Sequence, residues 1–128
     1  FIMKNKILLI ISILFGLMFI NSGLNKFFNY MPMPEDMSPE MLEIFSAFTT
    51  IAWLMPLIAV VEVLGGILVM FKQTRALGAV MLFPILIGIL LIHILNEPSG
   101  LVIALLFFGI DIWFLFESRD KLKPLFNK

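Results

Sequence analysis

Six polar side chains lie inside or at the ends of strongly apolar stretches: Asn21, Asn25, Lys26, Glu62, His93 and Asp111. Glu62 is embedded in Ala59-Val60-Val61-Glu62-Val63-Leu64-Gly65-Gly66. In hydrocarbon an ionisable side chain costs about 2.5–3.5 kcal/mol or more unless it is paired or neutral. Glu62 must therefore find company inside the protein. A carboxyl, an ammonium, an imidazole and two amides can bind the polar head of a lipophilic molecule and move protons at it. The same inventory excludes other chemistries. With one histidine and no cysteine, no dedicated metal site is expected, and disulfides and thiolate mechanisms are ruled out. No glycine-rich phosphate loop, hydrolase elbow or nucleophile–base pair occurs. The nine methionines read as packing and lipid contact rather than a copper site.

The elements that must hold these groups follow from hydropathy. The chain has 128 residues, 61% of them hydrophobic and only 14% charged, against about 45–50% apolar in a typical soluble domain. A bilayer core of about 30 Å takes roughly 20 helical residues. Four stretches qualify, about 7–28, 51–71, 76–95 and 100–116, and helix is the only conformation that satisfies their backbone groups in lipid. The fold expected is all-α: a single domain over 1–128, an integral membrane four-helix bundle. Pro56 and Pro84 fall inside the second and third stretches, where they should bend the helices. Short connections at Lys72–Arg75 and Asn96–Ser99 make antiparallel hairpins. The first connection is longer, with Pro32 and Pro34, and then Ser38-Pro39-Glu40 reads as a helix start. Met41, Ile44, Phe45 and Phe48 follow at helical spacing. This predicts a short amphipathic surface helix over about 39–49; the alternative is that it prolongs the second span. Gly16 and Gly23, with Ser12, mark one side of the first span. Gly65, Gly66, Gly78, Gly88 and Gly109 are expected at the other helix contacts.

Net charge is zero, but the signs are segregated. Lys4, Lys6, Lys72, Arg75, Arg119, Lys121, Lys123 and Lys128 fall at alternate span ends, while the intervening loops carry Glu35, Asp36, Glu40, Glu43 and Glu97. This positive-inside pattern predicts an inner-membrane protein with both termini cytoplasmic. The first stretch follows Lys4 and Lys6 like a signal peptide, yet lacks a small-residue cleavage motif and is read as a retained span. Met3 is the expected natural start. At 1.5 Å per residue, Glu62 comes near the midplane and Asp111 slightly to the cytoplasmic side. Asn21 lies somewhat outward, and Asn25, Lys26 and His93 lie near the outer boundary. Asn21, Asn25, Lys26, Glu62 and His93 are thus expected to converge on an outward-opening polar pocket. Asp111 is expected to hold helices together or to reach a cytoplasmic base. No basic stripe interleaves with aromatics outside the spans, which excludes nucleic acid.

The run Gly16-Leu17-Met18-Phe19-Ile20-Asn21-Ser22-Gly23-Leu24-Asn25-Lys26-Phe27 resembles the opening signature of the DoxX-like family of four-span membrane proteins, within the DoxX/DoxD superfamily. Ala59 to Gly66, Leu77-Gly78-Ala79, Pro84 and His93 continue the likeness in order, over about residues 7–116. The resemblance implies a four-helix membrane bundle whose polar core is Asn21, Lys26, Glu62 and His93. Some members are associated with DoxD-type subunits of thiosulfate:quinone oxidoreductase or with other membrane oxidoreductase complexes. A thiol mechanism cannot operate through this chain's own side chains.

Two functions of different class follow as expectations. One is a redox-associated subunit whose pocket takes a quinone or similar small lipophilic molecule, as part of a quinone-linked oxidoreductase. The other is a non-enzymatic scaffold or assembly partner, docking through 29–48. Transport of a small solute ranks third. The partners expected are the lipid bilayer, a redox protein and further copies of the chain.

Overall fold

The computed structural model describes residues 2–30, 37–96 and 98–126. The sequence expectations on Pro32, Pro34, Glu35, Asp36, Glu97 and Lys128 lie outside these residues. Among the described residues the chain is helical and forms no strand. Six α-helices run in order: α1 (Ile2–Phe28), α2 (Pro39–Thr50), α3 (Leu54–Met70), α4 (Arg75–Leu95), α5 (Leu101–Glu117) and the short α6 (Arg119–Leu122). The helices α1 and α4, and α5 with the turn before it, are long and apolar enough to cross a membrane. The pair α2–α3 would supply a fourth crossing, but it is bent by 92° at its break. The protein is an all-α membrane bundle.

The ends of the helices are set by local chemistry. Asn29 adopts φ 52°, and its N–H donates to the Asn25 carbonyl at 2.7 Å. A left-handed residue just past the last turn is a common helix terminator, and asparagine tolerates it better than most. Ser38 caps α2, accepting from the Met41 N–H at 3.2 Å, with Pro39 at the first helical position. The 92° break after Thr50 separates α2 from α3, and the alternative of one continuous helix is not what forms. Pro56 falls in the first turn of α3, where its missing N–H has no helical partner to lose; it does not bend the span interior as anticipated. Pro84 does lie inside α4, so the Val80 carbonyl has no helical donor four residues on.

Packing runs α1 on α3, α3 on α4 and α4 on α5. Glycines permit the closest approaches. A Cβ on Gly16 would stand 2.4 Å from the Gly66 carbonyl oxygen, and one on Gly23 would stand 2.6 Å from the Ala59 carbonyl oxygen. A Cβ on Gly78 would meet the Gly65 oxygen at 2.7 Å. No side chain larger than hydrogen fits these backbone crossings, which is how small residues drive association where lipid gives no hydrophobic effect. Gly88 and Gly109 have open space instead, so their expected role as helix contacts does not hold. Between α1 and α5 the bridge is aromatic: Phe15 meets Phe114 edge-on at 5.2 Å and Phe107 at 6.1 Å. The core is Phe15, Phe19, Val69, Ala79, Leu82, Leu86 and Phe114, and apolar side chains such as Leu14, Val102 and Ile103 point outward. That exterior suits lipid.

Candidate functional site

Glu62 lies on the buried stripe of α3 formed by Ala59, Glu62, Gly65, Gly66 and Val69. The Gly23–Ala59 crossing brings the α1 backbone against α3 one turn away from it, so Ser22 and Lys26 can reach its carboxyl. Lys26 Nζ stands 2.6 Å from Glu62 Oε1. Its ammonium also donates to Ser22 Oγ at 2.9 Å, and Ser22 Oγ donates to Glu62 Oε2 at 3.1 Å. Three side chains thus close a ring of polar contacts. The Lys26–Glu62 contact is an ion pair rather than an aligned hydrogen bond, and Oε1 has no other partner. The Glu62 side chain is 3% exposed and that of Lys26 is 21% exposed. Pairing answers the cost of burying either charge. It also leaves the site with no net charge.

His93, in the last turn of α4, places Nδ1 2.8 Å from the Ile89 carbonyl oxygen. A carbonyl only accepts, so Nδ1 carries the proton, and in the neutral ring Nε2 keeps a free lone pair. The Nε2 edge packs against Gly100, where an added Cβ would lie 2.6 Å from Nε2. Glycine at that position leaves room for the ring.

Two cavities meet at this group. The larger, about 540 Å³, lies under α2 against α3 and α4. Met41, Ile44, Phe45 and Phe48 of α2 roof it; Met55, Ile58, Pro84, Gly88 and Ile92 wall it, and Lys26, Glu62 and His93 supply its polar groups. The amphipathic helix thus turns its apolar side to the cavity. It is tied at its other end by Asn96 Nδ2, which donates to Glu40 Oε1 at 2.7 Å. The smaller cavity, about 280 Å³, opens between α1 and α5 and shares Glu62, Ile89 and His93 with the larger one.

Of the residues singled out in sequence, Lys26, Glu62 and His93 are brought together. Asn21 is not: it is exposed on α1, and the Tyr30 hydroxyl donates to its carbonyl at 2.9 Å and also to its Oδ1. Asn25 lines neither cavity. Asp111 is buried elsewhere, with neither carboxylate oxygen hydrogen-bonded. Ser22 is the member that sequence reasoning passed over, although its four-residue step to Lys26 put both on one helix face. Also unforeseen was Arg75, treated as a loop charge but 6% exposed. Its Nε donates to the Val69 carbonyl at 2.9 Å and its Nη2 to Ser12 Oγ at 3.0 Å.

An apolar cavity walled by long apolar helices, with a paired acid and base and an imidazole on one side, thus lies within an all-α membrane bundle. The chain belongs to the DoxX family, whose family model matches residues 7–94. The match takes in α1 to α4, including Lys26, Glu62 and His93, and stops short of α5, whereas the resemblance noted from sequence runs on to residue 116. No curated protein and no solved structure matches the chain.

Proposed function

We propose that the cavity under α2 binds a quinone or a similar small lipophilic molecule with a polar head, and that the protein serves as a redox-associated membrane subunit. The observation that carries the reading is the convergence of Lys26, Glu62 and His93 on a cavity of about 540 Å³ that is otherwise apolar. That volume lies within the roughly 300–1,000 Å³ of small-molecule sites, which pair apolar walls with a few placed polar groups. A neutral head fits better than an ionic one, because the Lys26 and Glu62 charges already answer each other. The ammonium has three donors, of which Ser22 engages one, so donors remain for a ring carbonyl. His93 lines the same cavity beside Glu62. The quinone would supply the electron chemistry, and the chain's part is to bind, orient and hold a proton at Glu62. The segregation of basic residues to one end favours an inner-membrane protein with cytoplasmic termini and with α2 on the outer face. A partner redox protein would then deliver or withdraw the electrons, and copies of the chain could associate through the lipid-facing helices.

The test is titration of ubiquinone and menaquinone into the protein reconstituted in nanodiscs, alone and with its partner complex. Saturable binding that weakens at least tenfold in Glu62→Gln is expected. No saturable binding in either setting removes the proposal. A Glu62→Gln protein that keeps quinone-dependent activity but loses stability in detergent favours the scaffold reading.

A further inference from the structure

The smaller cavity is distinct from the larger one and shares only Glu62, Ile89 and His93 with it. Its polar groups also differ. Lys26 lines only the larger cavity; Ser22 lines only the smaller. The His93 ring has one nitrogen held by the Ile89 carbonyl, and its other edge lies against Gly100, which belongs to the smaller cavity. The free lone pair of Nε2 therefore addresses the smaller cavity.

We infer that the cavity between α1 and α5 is a second binding chamber, specific for a single-ring aromatic hydroxyl compound that donates its O–H to His93 Nε2. Four features of the chamber select that chemistry. At about 280 Å³ it falls just below the range for drug-sized ligands, which suits one ring and little more. Phe19 and Phe107 line it, and aromatic faces and edges favour another ring by about 0.5–1.5 kcal/mol beyond area burial. Its charged residue is Glu62, with no lysine or arginine in the lining, so an anion finds no cationic partner there. A cation gains little, since the Glu62 charge is engaged by Lys26. What remains is a neutral donor offered to an imidazole acceptor, and a phenolic O–H is a strong donor that stays neutral near pH 7.

The probes are 4-fluorophenol and its methyl ether, 4-fluoroanisole, read by ¹⁹F NMR against nanodiscs with and without the protein. The phenol should bind saturably and at least tenfold tighter than the ether, which has the same ring and no donor. His93→Phe keeps an aromatic ring but lacks Nε2, and it should erase that preference. Ile103→Trp, at the lipid-facing rim of the chamber, should weaken phenol binding at least fivefold without touching the histidine. Gly88→Leu, which projects into the larger cavity where a Cβ meets nothing within 4 Å, should leave phenol binding unchanged. Equal binding of phenol and ether overturns the inference, as does absence of saturable phenol binding. So does loss of phenol binding in Gly88→Leu with retention in Ile103→Trp. Quinone binding to the larger cavity is read separately, by the titration of ubiquinone and menaquinone themselves, so either proposal can fail alone.

Discussion

On the α2 side of the bundle, Lys26, Ser22 and Glu62 contact one another beside two cavities; toward the basic end, Arg75, Ser12 and Asp111 are buried and line neither. The difference lies in where each polar chain terminates. Arg75 ends on backbone: its Nε bonds the Val69 carbonyl, and its Nη2 bonds Ser12, whose hydroxyl donates in turn to the Leu9 carbonyl at 2.9 Å. Thr74 adds a bond to the Leu68 carbonyl at 2.7 Å. The last carbonyls of a helix have no intrahelical donor, so Thr74 and Arg75 close the end of α3 and tie it to α1. That is fastening. Lys26 and Glu62, by contrast, end on each other, and a side-chain pair can be opened by a ligand in a way that a backbone cap cannot. A buried charge in a membrane protein is thus informative only together with its partner.

This contrast can be broken most forcefully at Glu62. Glu62→Leu strands the Lys26 ammonium with Ser22 alone, and removing one member of a buried pair costs about 3–5 kcal/mol. The double variant Lys26→Met/Glu62→Leu should recover most of that loss, since replacing both charges by apolar groups is often neutral. Thermal unfolding in a defined detergent measures both. A double variant as unstable as the single one would mean that the polar ring fastens helices after all. Next in size comes Arg75→Met, which removes two hydrogen bonds from a charged donor at about 1.5–3 kcal/mol each at most. It should lower stability while leaving quinone titration unchanged. A shift in ligand binding would instead couple the two clusters.

The sequence carried the fold through hydropathy, and the outcome shows which residues it could not read. Lys26, Glu62 and His93 were legible because lipid penalises an ionisable group so heavily that its mere presence in a span implies a partner. Ser22 was not, because a serine in a membrane helix costs little and signals nothing by itself. Arg75 was misjudged for the opposite reason: four residues separate the end of α3 from the start of α4, too short a span to show that the arginine folds inward. Gly88 and Gly23 look alike in sequence, yet one opens a cavity and the other seats a helix crossing. The sense of a small residue is fixed by the helix opposite, and no periodicity on its own helix reports that. The Asn96–Glu40 tie over the cavity likewise arises from a pairing across the chain.

That tie gives a smaller effect. The Asn96–Glu40 hydrogen bond is exposed, and such a bond to a charged group in water contributes modestly, so Glu40→Ala should cost less than about 1 kcal/mol of global stability. Its signature is local: faster amide hydrogen exchange across 39–50 and quicker release of whatever the α2-roofed cavity holds. Exchange in α2 no faster than in the unaltered protein would mean that the roof is held by Met41, Ile44, Phe45 and Phe48 alone.

The smallest expected effect falls on the most conspicuous charge in the basic half. Asp111 is fully buried between Phe107 and Phe114 on one face of α5, and neither oxygen is hydrogen-bonded. A buried polar group without partners contributes its desolvation cost and nothing in return. Asp111→Val should therefore leave the melting temperature unchanged or raise it, within about 1 kcal/mol of the unaltered protein, whereas the same exchange at Glu62 is severe. Asp111→Asn, which keeps a polar group in the same place, should give no gain. If Asp111→Val unfolds the bundle, the carboxyl fastens helices as Arg75 does. If it instead abolishes quinone-dependent activity at full stability, the functional polar residues are not confined to the α2 half of the bundle.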